Sequence, residues 1–245
     1  TNVAMRLAKA ARRPPRELAQ AIVGALEPHP KIARVEVAGA GFINFFLAGD
    51  AQSEVVRRVF DLGDAFGRNG SGGNRRILVE FVSSNPTGPL HVGHGRHGAY
   101  GASVSNLLDA NGWSVHREYY INDAGRQVDI LAVSVWLRYL EACGESLRFP
   151  ANGYKGDYVR EIAAELLQKV DEQLQRPEGE VFGNLPADEP EGGDKEAFID
   201  ALIGRAKRLI GEDGFREVSN LGLKAILADM ENDLTEFGVT YDRWY

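Results

Sequence analysis

Residues 77–94 constrain the fold of this 245-residue chain more than any other segment. The apolar run 77–82 has the β-branched and aromatic content of a buried strand. Asparagine, prolines and glycine then end regular structure and force an exposed turn over residues 85–89. A helical pattern resumes after His94. The segment 91–94 is therefore predicted at a helix N-terminus, where unpaired backbone N–H groups and the helix dipole favour an anion.

Three residues at this predicted helix start suit the binding of a nucleotide. His91 and His94 lie three positions apart, so both side chains can donate to phosphate oxygens from one helical face. Gly93 has no side chain, so a flat ring or a phosphate can approach the backbone. Such a histidine pair is structural about as often as functional, and the strand–turn–helix setting favours function. The stretch lacks the glutamate of a His-Glu-x-x-His zinc helix, and we predict no metal site.

Glu80 is an acid within an otherwise apolar strand. A carboxylate placed there is costly unless it is paired, so it indicates a cationic partner. Two readings stay open. The partner is either the guanidinium of a ligand, held in a bidentate geometry, or a neighbouring arginine in a structural ion pair.

The sequence Glu-Phe-Val-Ser-Ser-Asn-Pro-Thr-Gly-Pro-Leu-His-Val-Gly-His at 80–94 resembles the "HIGH" region of class I aminoacyl-tRNA synthetases, in the form found in the arginyl-tRNA synthetase family. Further blocks at 41–47, 117–125 and 153–158 are similar to that family, so the resemblance covers essentially the whole chain. It implies ATP-dependent activation of L-arginine and its transfer to tRNA(Arg). ATP with Mg²⁺ is then a substrate, and no tightly bound cofactor is expected. Another class I adenylylating enzyme, or a non-catalytic tRNA-binding module, is the alternative.

The resemblance also assigns roles to individual residues. His91 and His94 become catalytic residues that, with Gly93, bind ATP. The arginine-contacting positions of the family fall on Glu80 and Asn85. Ser83 and Ser84 flank them and help to hold the α-amino group, although serines there are more often turn-forming residues. The similar block at 117–125 contains three further candidates: Tyr119, Tyr120 and Asp123. They carry less weight, because aromatic residues at such positions more often lie in the core.

Two departures from the family pattern stand out. Ala102 follows Gly101 where the family usually has an acid. A Lys-Met-Ser-Lys-Ser-like loop, which supplies lysines to the transition-state phosphates, does not occur in the sequence, and the chain opens on Thr1. We therefore expect an N-terminal fragment of a longer enzyme, inactive alone.

Charge is distributed unevenly along the chain, whose formal net charge is -7. Residues 1–76 hold 12 lysines and arginines against 7 acids, whereas the remainder holds 16 against 28. A basic N-terminal section suggests contact with a polyanion. Arg12, Arg13 and Arg16 near a helix start are the candidate tRNA contacts, with ordinary surface charge as the alternative. We expect a cytoplasmic, monomeric protein without a membrane segment, because a single cysteine fits a reducing compartment and apolar runs are short.

The pattern along the chain predicts an α/β fold in two domains. Residues 1–66 form a small α+β module, and 67–76 a glycine-rich linker. Residues 77–245 form the first part of a Rossmann-like class I synthetase catalytic domain, with a helical insertion near 145–215. Its expected elements after the first strand and helix are a strand at 115–121, helices at 123–142, 158–174, 196–210 and 219–237, and a mobile surface loop at 175–194.

Overall fold

The computed structural model describes residues 1–49 and 51–245, which divide into two compact units, Thr1–Arg68 and Asn69–Tyr245. The division falls inside the glycine-rich stretch 67–76. Within the described ranges, helices are too short or too polar to cross a membrane.

The first unit is a small α+β module. Helices α1 (Val3–Ala11) and α2 (Pro15–Gly24) precede an antiparallel hairpin of β1 (Ile32–Ala38) and β2 (Phe42–Leu47), and α3 (Ala51–Leu62) follows. Its buried core is Ala4, Ala19 and Ile43. Gly41 has a φ of 127°, and a Cβ there would lie 2.8 Å from the backbone of Pro15. Only glycine lets the hairpin approach α2 so closely.

The second unit begins with a parallel sheet. Strands β3 (Arg76–Glu80), β4 (Ser114–Tyr119) and β5 (Arg243–Trp244) lie in the order β3-β4-β5, and α4 (Val92–Ala110) connects the first two. The predicted α/β class is confirmed. The strand predicted to reach residue 82 ends at Glu80, because Val82 and Ser83 adopt left-handed backbone angles with φ of 66° and 41°. β5 was not predicted, since a two-residue strand carries no periodicity.

Four helices complete the second unit: α5 (Arg126–Ala142), α6 (Asp157–Val170), α7 (Glu178–Phe182) and α8 (Lys195–Glu236). Their large core includes Trp136, Leu166 and Leu202. We refer to these helices as the helical bundle. α5 is buried almost all round, which explains why its apolar run lacks a polar face.

The structure corrects three predicted details of the bundle. Helix α5, predicted to begin at residue 123, begins at Arg126 with Gly125 as its N-cap. The two helices predicted at 196–210 and 219–237 are present as the two halves of α8, which are divided at Gly211, whose φ of 71° and ψ of 166° are not helical; the second half begins earlier than predicted. The stretch 175–194, predicted as a mobile surface loop, contains α7, whose Val181 is fully buried.

Residues 69–75 of the glycine-rich stretch are bonded to the end of α4. The amides of Asn69, Gly72 and Asn74 donate to carbonyls of residues 110–112 at 2.7–2.9 Å. Arg75 places its guanidinium 4.1 Å from the centre of the Trp113 ring. Two of the basic residues counted in the N-terminal section, at 75 and 76, thus belong to the second unit. Residues 1–68 alone hold 10 lysines and arginines against 7 acids.

Candidate active site

The candidate site lies where the carboxyl ends of β3 and β4 meet the N-terminus of α4. In parallel α/β sheets this is the position at which ligands bind. Helix α4 packs closely on the sheet, because a Cβ at Gly101 would overlap the side chain of Phe81. Gly101 therefore sets the depth of α4, and with it the place of the helix start.

His91 and His94 cap this helix start together. The Nδ1 atom of His91 accepts the Gly93 N–H at 3.1 Å, and Nδ1 of His94 accepts the His91 N–H at 3.3 Å. The two rings stack with centroids 3.8 Å apart. Since both Nδ1 atoms accept, the proton of each neutral ring is on Nε2. Each imidazole therefore keeps one N–H donor free for a ligand.

The surroundings of His94 favour its neutral form. Burial lowers the pKa of His94 below 6.5, and the neighbouring His91 and His97 lower it further. Packing also requires glycine at position 93, because a Cβ on Gly93 would lie only 2.8 Å from Cε1 of His91. The local sequence thus builds a pair of neutral donors at the positive end of a helix dipole.

The turn after β3 holds the predicted arginine-contacting residues in an unusual backbone shape. Val82 and Ser83 both have positive φ, and a β-branched residue rarely adopts that conformation. Ser83 Oγ accepts the N–H of Tyr120 at 3.1 Å, and the Tyr241 hydroxyl donates to the Phe81 carbonyl at 3.1 Å. We call residues 82–85 the strained turn.

Asn85 is oriented by two amides that sequence reasoning missed. Asn122 Nδ2 donates to Asn85 Oδ1 at 3.0 Å, and Asn85 Nδ2 donates to Gln127 Oε1 at 2.5 Å. All three side chains are exposed. The carboxamide of Asn85 therefore has one defined orientation and still offers a lone pair and an N–H. Asn122 lies in the family-like block 117–125, which was the available signal.

Glu80 lies at the end of β3 on an exposed face of the sheet. The expectation of a costly buried acid was wrong, because Glu80 and its neighbour Leu78, which is 55% exposed, lie on a face left open by α4. The alternative of a structural ion pair also lacks support: Glu80 pairs with no cation among the described residues. Its register partner on β4 is Glu118, so a second carboxylate lies on the same face.

The lower-weight candidates separate into core and surface. Tyr119 is fully buried, and its ring stacks on Trp244 with centroids 4.3 Å apart. Tyr120 is 46% exposed, and Asp123 is exposed beside it in a groove that Tyr245 also lines. In the described part of the chain, no group of three or more potential ligands is arranged to hold a metal ion.

The candidate tRNA-contacting arginines all lie exposed in the first unit. Arg12 caps the end of α1 with a φ of 51°, and Arg16 donates to the Gly39 carbonyl at 3.1 Å. Within the described residues, Arg12, Arg13 and Arg16 form no ion pair. Their charges are therefore available to an anionic partner.

Two family models match the chain. Residues 1–47 match the family described as "Arginyl tRNA synthetase N terminal domain". Residues 62–147 match the family described as "tRNA synthetases class I (R), catalytic domain". The second match contains the strand, turn and helix of the candidate site.

Curated relatives and solved structures agree with these matches. The chain is 56% identical to an arginine–tRNA ligase of Thioalkalivibrio sulfidiphilus and 53% identical to one of Legionella pneumophila, in both cases over all 245 of its residues. It spans 42% of the length of each, about two fifths of these relatives. The solved arginyl-tRNA synthetase of Thermus thermophilus is 25% identical with a TM-score of 0.50, covering 98% of this chain and 34% of that one.

Proposed function

We propose, for a chain that belongs to the arginyl-tRNA synthetase family, that the full-length protein activates L-arginine with ATP and transfers it to tRNA(Arg). The observation that carries this proposal is the pair of neutral imidazoles at the N-terminus of α4. ATP enters with Mg²⁺ as a substrate, and no tightly bound cofactor is part of the proposal. The protein acts as a monomer in the cytoplasm.

Activation requires two anions to meet. The arginine carboxylate attacks the α-phosphorus of ATP, a new C–O–P linkage forms, and the bond to pyrophosphate breaks. The extra charge of the transition state is stabilised by positioning and by fixed donors. The Nε2–H groups of His91 and His94 are such donors, and the helix dipole adds to them. Gly93 leaves room for the adenine ring against the backbone.

The strained turn and the end of β3 supply the arginine pocket. Glu80 offers an unpaired carboxylate that matches a guanidinium in bidentate geometry. Asn85, held by Asn122 and Gln127, presents a fixed amide to the same substrate. Ser83 and Ser84 contact the α-amino group.

The division into domains follows from the same proposal. Residues 1–66 contact tRNA, 67–76 link the domains, and 77–245 form the first part of the catalytic domain. The match to the catalytic family ends at residue 147, and helices follow it, which supports an insertion near 145–215.

The decisive test is arginine-dependent exchange between ATP and pyrophosphate by the full-length protein in the presence of tRNA(Arg), with Glu80→Gln as the variant. Exchange should require arginine and should be absent with lysine. Glu80→Gln keeps the shape and removes the charge, so the KM for arginine should rise at least tenfold, while the KM for ATP changes less than twofold. Equal losses for both substrates would remove Glu80 from the arginine pocket, and exchange driven by another amino acid would refute the function.

The tRNA contact is tested separately by charge removal. Replacing Arg12, Arg13 and Arg16 by glutamine should raise the KM for tRNA and flatten its dependence on salt, because phosphate contacts release counterions. A control variant removes the same charge elsewhere in the unit, by glutamine at Arg6, Arg57 and Arg58. Equal salt slopes in the two variants would move the tRNA-binding face away from the α1–α2 corner.

A further inference from the structure

The hydroxyl of Tyr119 makes three polar contacts with a single residue of the strained turn. Its oxygen lies 3.1 Å from the backbone nitrogen of Ser84, 2.8 Å from Ser84 Oγ and 3.2 Å from the Ser84 carbonyl oxygen. The Tyr119 side chain is fully buried, so its hydroxyl bonds Ser84 in place of water. The end of β4 is thus fastened to the turn through one phenol.

One arrangement of protons pairs all of these groups at once. The carbonyl of Ser84 can only accept, and the Ser84 N–H can only donate. The single proton of Tyr119 therefore goes to the carbonyl, and Ser84 Oγ donates its own proton to the phenol oxygen. The phenol is then fully satisfied, with one bond donated and two accepted. Ser84 Oγ is left with lone pairs alone, so towards any ligand it is an acceptor.

The surroundings of Tyr119 hold this arrangement in place. The ring lies between Trp244, stacked with centroids at 4.3 Å, and Tyr241, edge-on at 5.4 Å. Burial raises the pKa of Tyr119, so the phenol keeps its proton. The next residue, Tyr120, donates its N–H to Ser83 Oγ at 3.1 Å, which engages the second serine from the same strand end.

The strained turn depends on these hydrogen bonds to keep its backbone conformation. Val82 and Ser83 have left-handed backbone angles, a conformation that costs free energy and persists only when the surroundings impose it. Tyr119 and Tyr120 provide such bonds on the side of β4. Without the phenol, the Ser84 N–H and carbonyl would lose their partner and the turn could relax.

We propose that Tyr119 is a positioning residue for recognition of the cationic amino-acid substrate: it holds the strained turn and leaves Ser84 Oγ as an acceptor for the substrate's α-ammonium group. This inference rests on the proposed function. It assigns to a buried phenol a role that acts through Ser84, without contact with the substrate.

The test compares Tyr119→Phe with Tyr139→Phe in the full-length protein. Tyr139 is also fully buried, and its hydroxyl donates to the Asp171 carbonyl and accepts the Leu174 N–H, both in the segment that follows α6. Both variants lose one buried hydroxyl and should lose similar thermal stability. Tyr119→Phe should raise the KM for arginine about tenfold, the scale of a hydrogen bond to a charged group, with the KM for ATP changed less than twofold. Tyr139→Phe should leave both constants unchanged.

Ser84→Ala provides a second variant that retains Tyr119 and its packing. It should raise the KM for arginine to a similar extent, and adding Tyr119→Phe to it should cost less than Tyr119→Phe costs alone. Equal effects on arginine and ATP, an equal shift in Tyr139→Phe, or an unchanged KM in Ser84→Ala would each overturn the positioning role. Wild-type protein without arginine-dependent exchange would instead refute the proposed function, and this inference with it.

Discussion

Two tyrosines show how the sheet end and the helical bundle of the second unit differ. Tyr119 and Tyr139 are both fully buried, and each hydroxyl bonds both a backbone carbonyl and a backbone N–H. Tyr139 fastens α5 to the end of α6 and the residues that follow it, where its partners only support packing. Tyr119 fastens a turn that carries the candidate substrate contacts. A buried tyrosine hydroxyl therefore supports stability in the helical bundle and positions the candidate site at the sheet end.

The backbone conformation also differs between the helical bundle and the sheet end. Helix α8 bends at Gly211, where a positive φ costs little because the residue has no Cβ. The sheet end turns at Val82, whose φ of 66° is unfavourable for a β-branched side chain. Strain tolerated at a site and avoided in a core is typical of segments whose shape serves binding. We expect substitutions in the two regions to separate stability from activity.

The largest effect is expected in the bundle. Trp136 is 1% exposed, and its Nε1–H donates to the Leu174 carbonyl at 3.0 Å. Trp136→Ala should lower the free energy of unfolding by about 3–5 kcal/mol, through lost burial and the cavity left behind. Urea unfolding followed by circular dichroism measures the loss. Where Trp136→Ala remains folded, it should keep the wild-type KM for arginine. A selective change in that constant would mean that the bundle shapes the substrate pocket directly.

The opposite pattern is expected for His94→Ala. Removing one donor to the transition state should slow arginine activation in the full-length protein by roughly 10²-fold or more. Single-turnover formation of the adenylate measures this rate, and arginine binding should change much less. A large drop in melting temperature with normal kinetics would return His94 to the role of a structural cap for α4.

Two glycines offer a matched comparison between the regions. A Cβ at Gly101 would overlap the Phe81 side chain, whereas a Cβ at Gly222 of α8 would meet Leu131 at 3.4 Å, an ordinary contact. Gly101→Ala should therefore cost about 1–3 kcal/mol of stability by overpacking and displace the start of α4. Gly222→Ala should be neutral or stabilise by up to about 1 kcal/mol, because alanine favours the helix. Equal losses in thermal unfolding would contradict the difference in packing.

Sequence alone predicted the parts of the fold whose signals are local. The turn over 85–89 and the start of α4 follow from the prolines and glycine between an apolar strand pattern and a helical one, all visible within a few residues. The division of α8 was predicted as the gap between the helices at 196–210 and 219–237, but the helical start directly after Gly211 was not. The strand β5 was missed because its two residues are paired only through contacts with β4.

The residues of the candidate site stand out in the sequence, but their connections do not. The histidines and Asn85 stand out as unusual types beside a turn. Tyr119, the partner of Ser84, and Asn122 and Gln127, the partners of Asn85, lie 35 to 42 residues away, so these hydrogen bonds depend on the fold. The exposure of Glu80 was also beyond the sequence, since an apolar strand pattern does not show which face of a sheet is covered.

The smallest expected effect is a pH dependence that arises at the sheet end. His94 has a folded-state pKa below 6.5, so the folded state takes up its proton less readily than the unfolded chain. The stability that this group contributes is complete above about pH 6.5 and is lost as the pH falls through the depressed pKa. His94→Asn removes this linkage. The melting temperature of the wild type should therefore fall slightly more between pH 7.5 and pH 5.5 than that of His94→Asn, as measured by calorimetry. Parallel declines would show that the neutral state of His94 is not favoured by folding, and would weaken its assignment as a neutral donor at the start of α4.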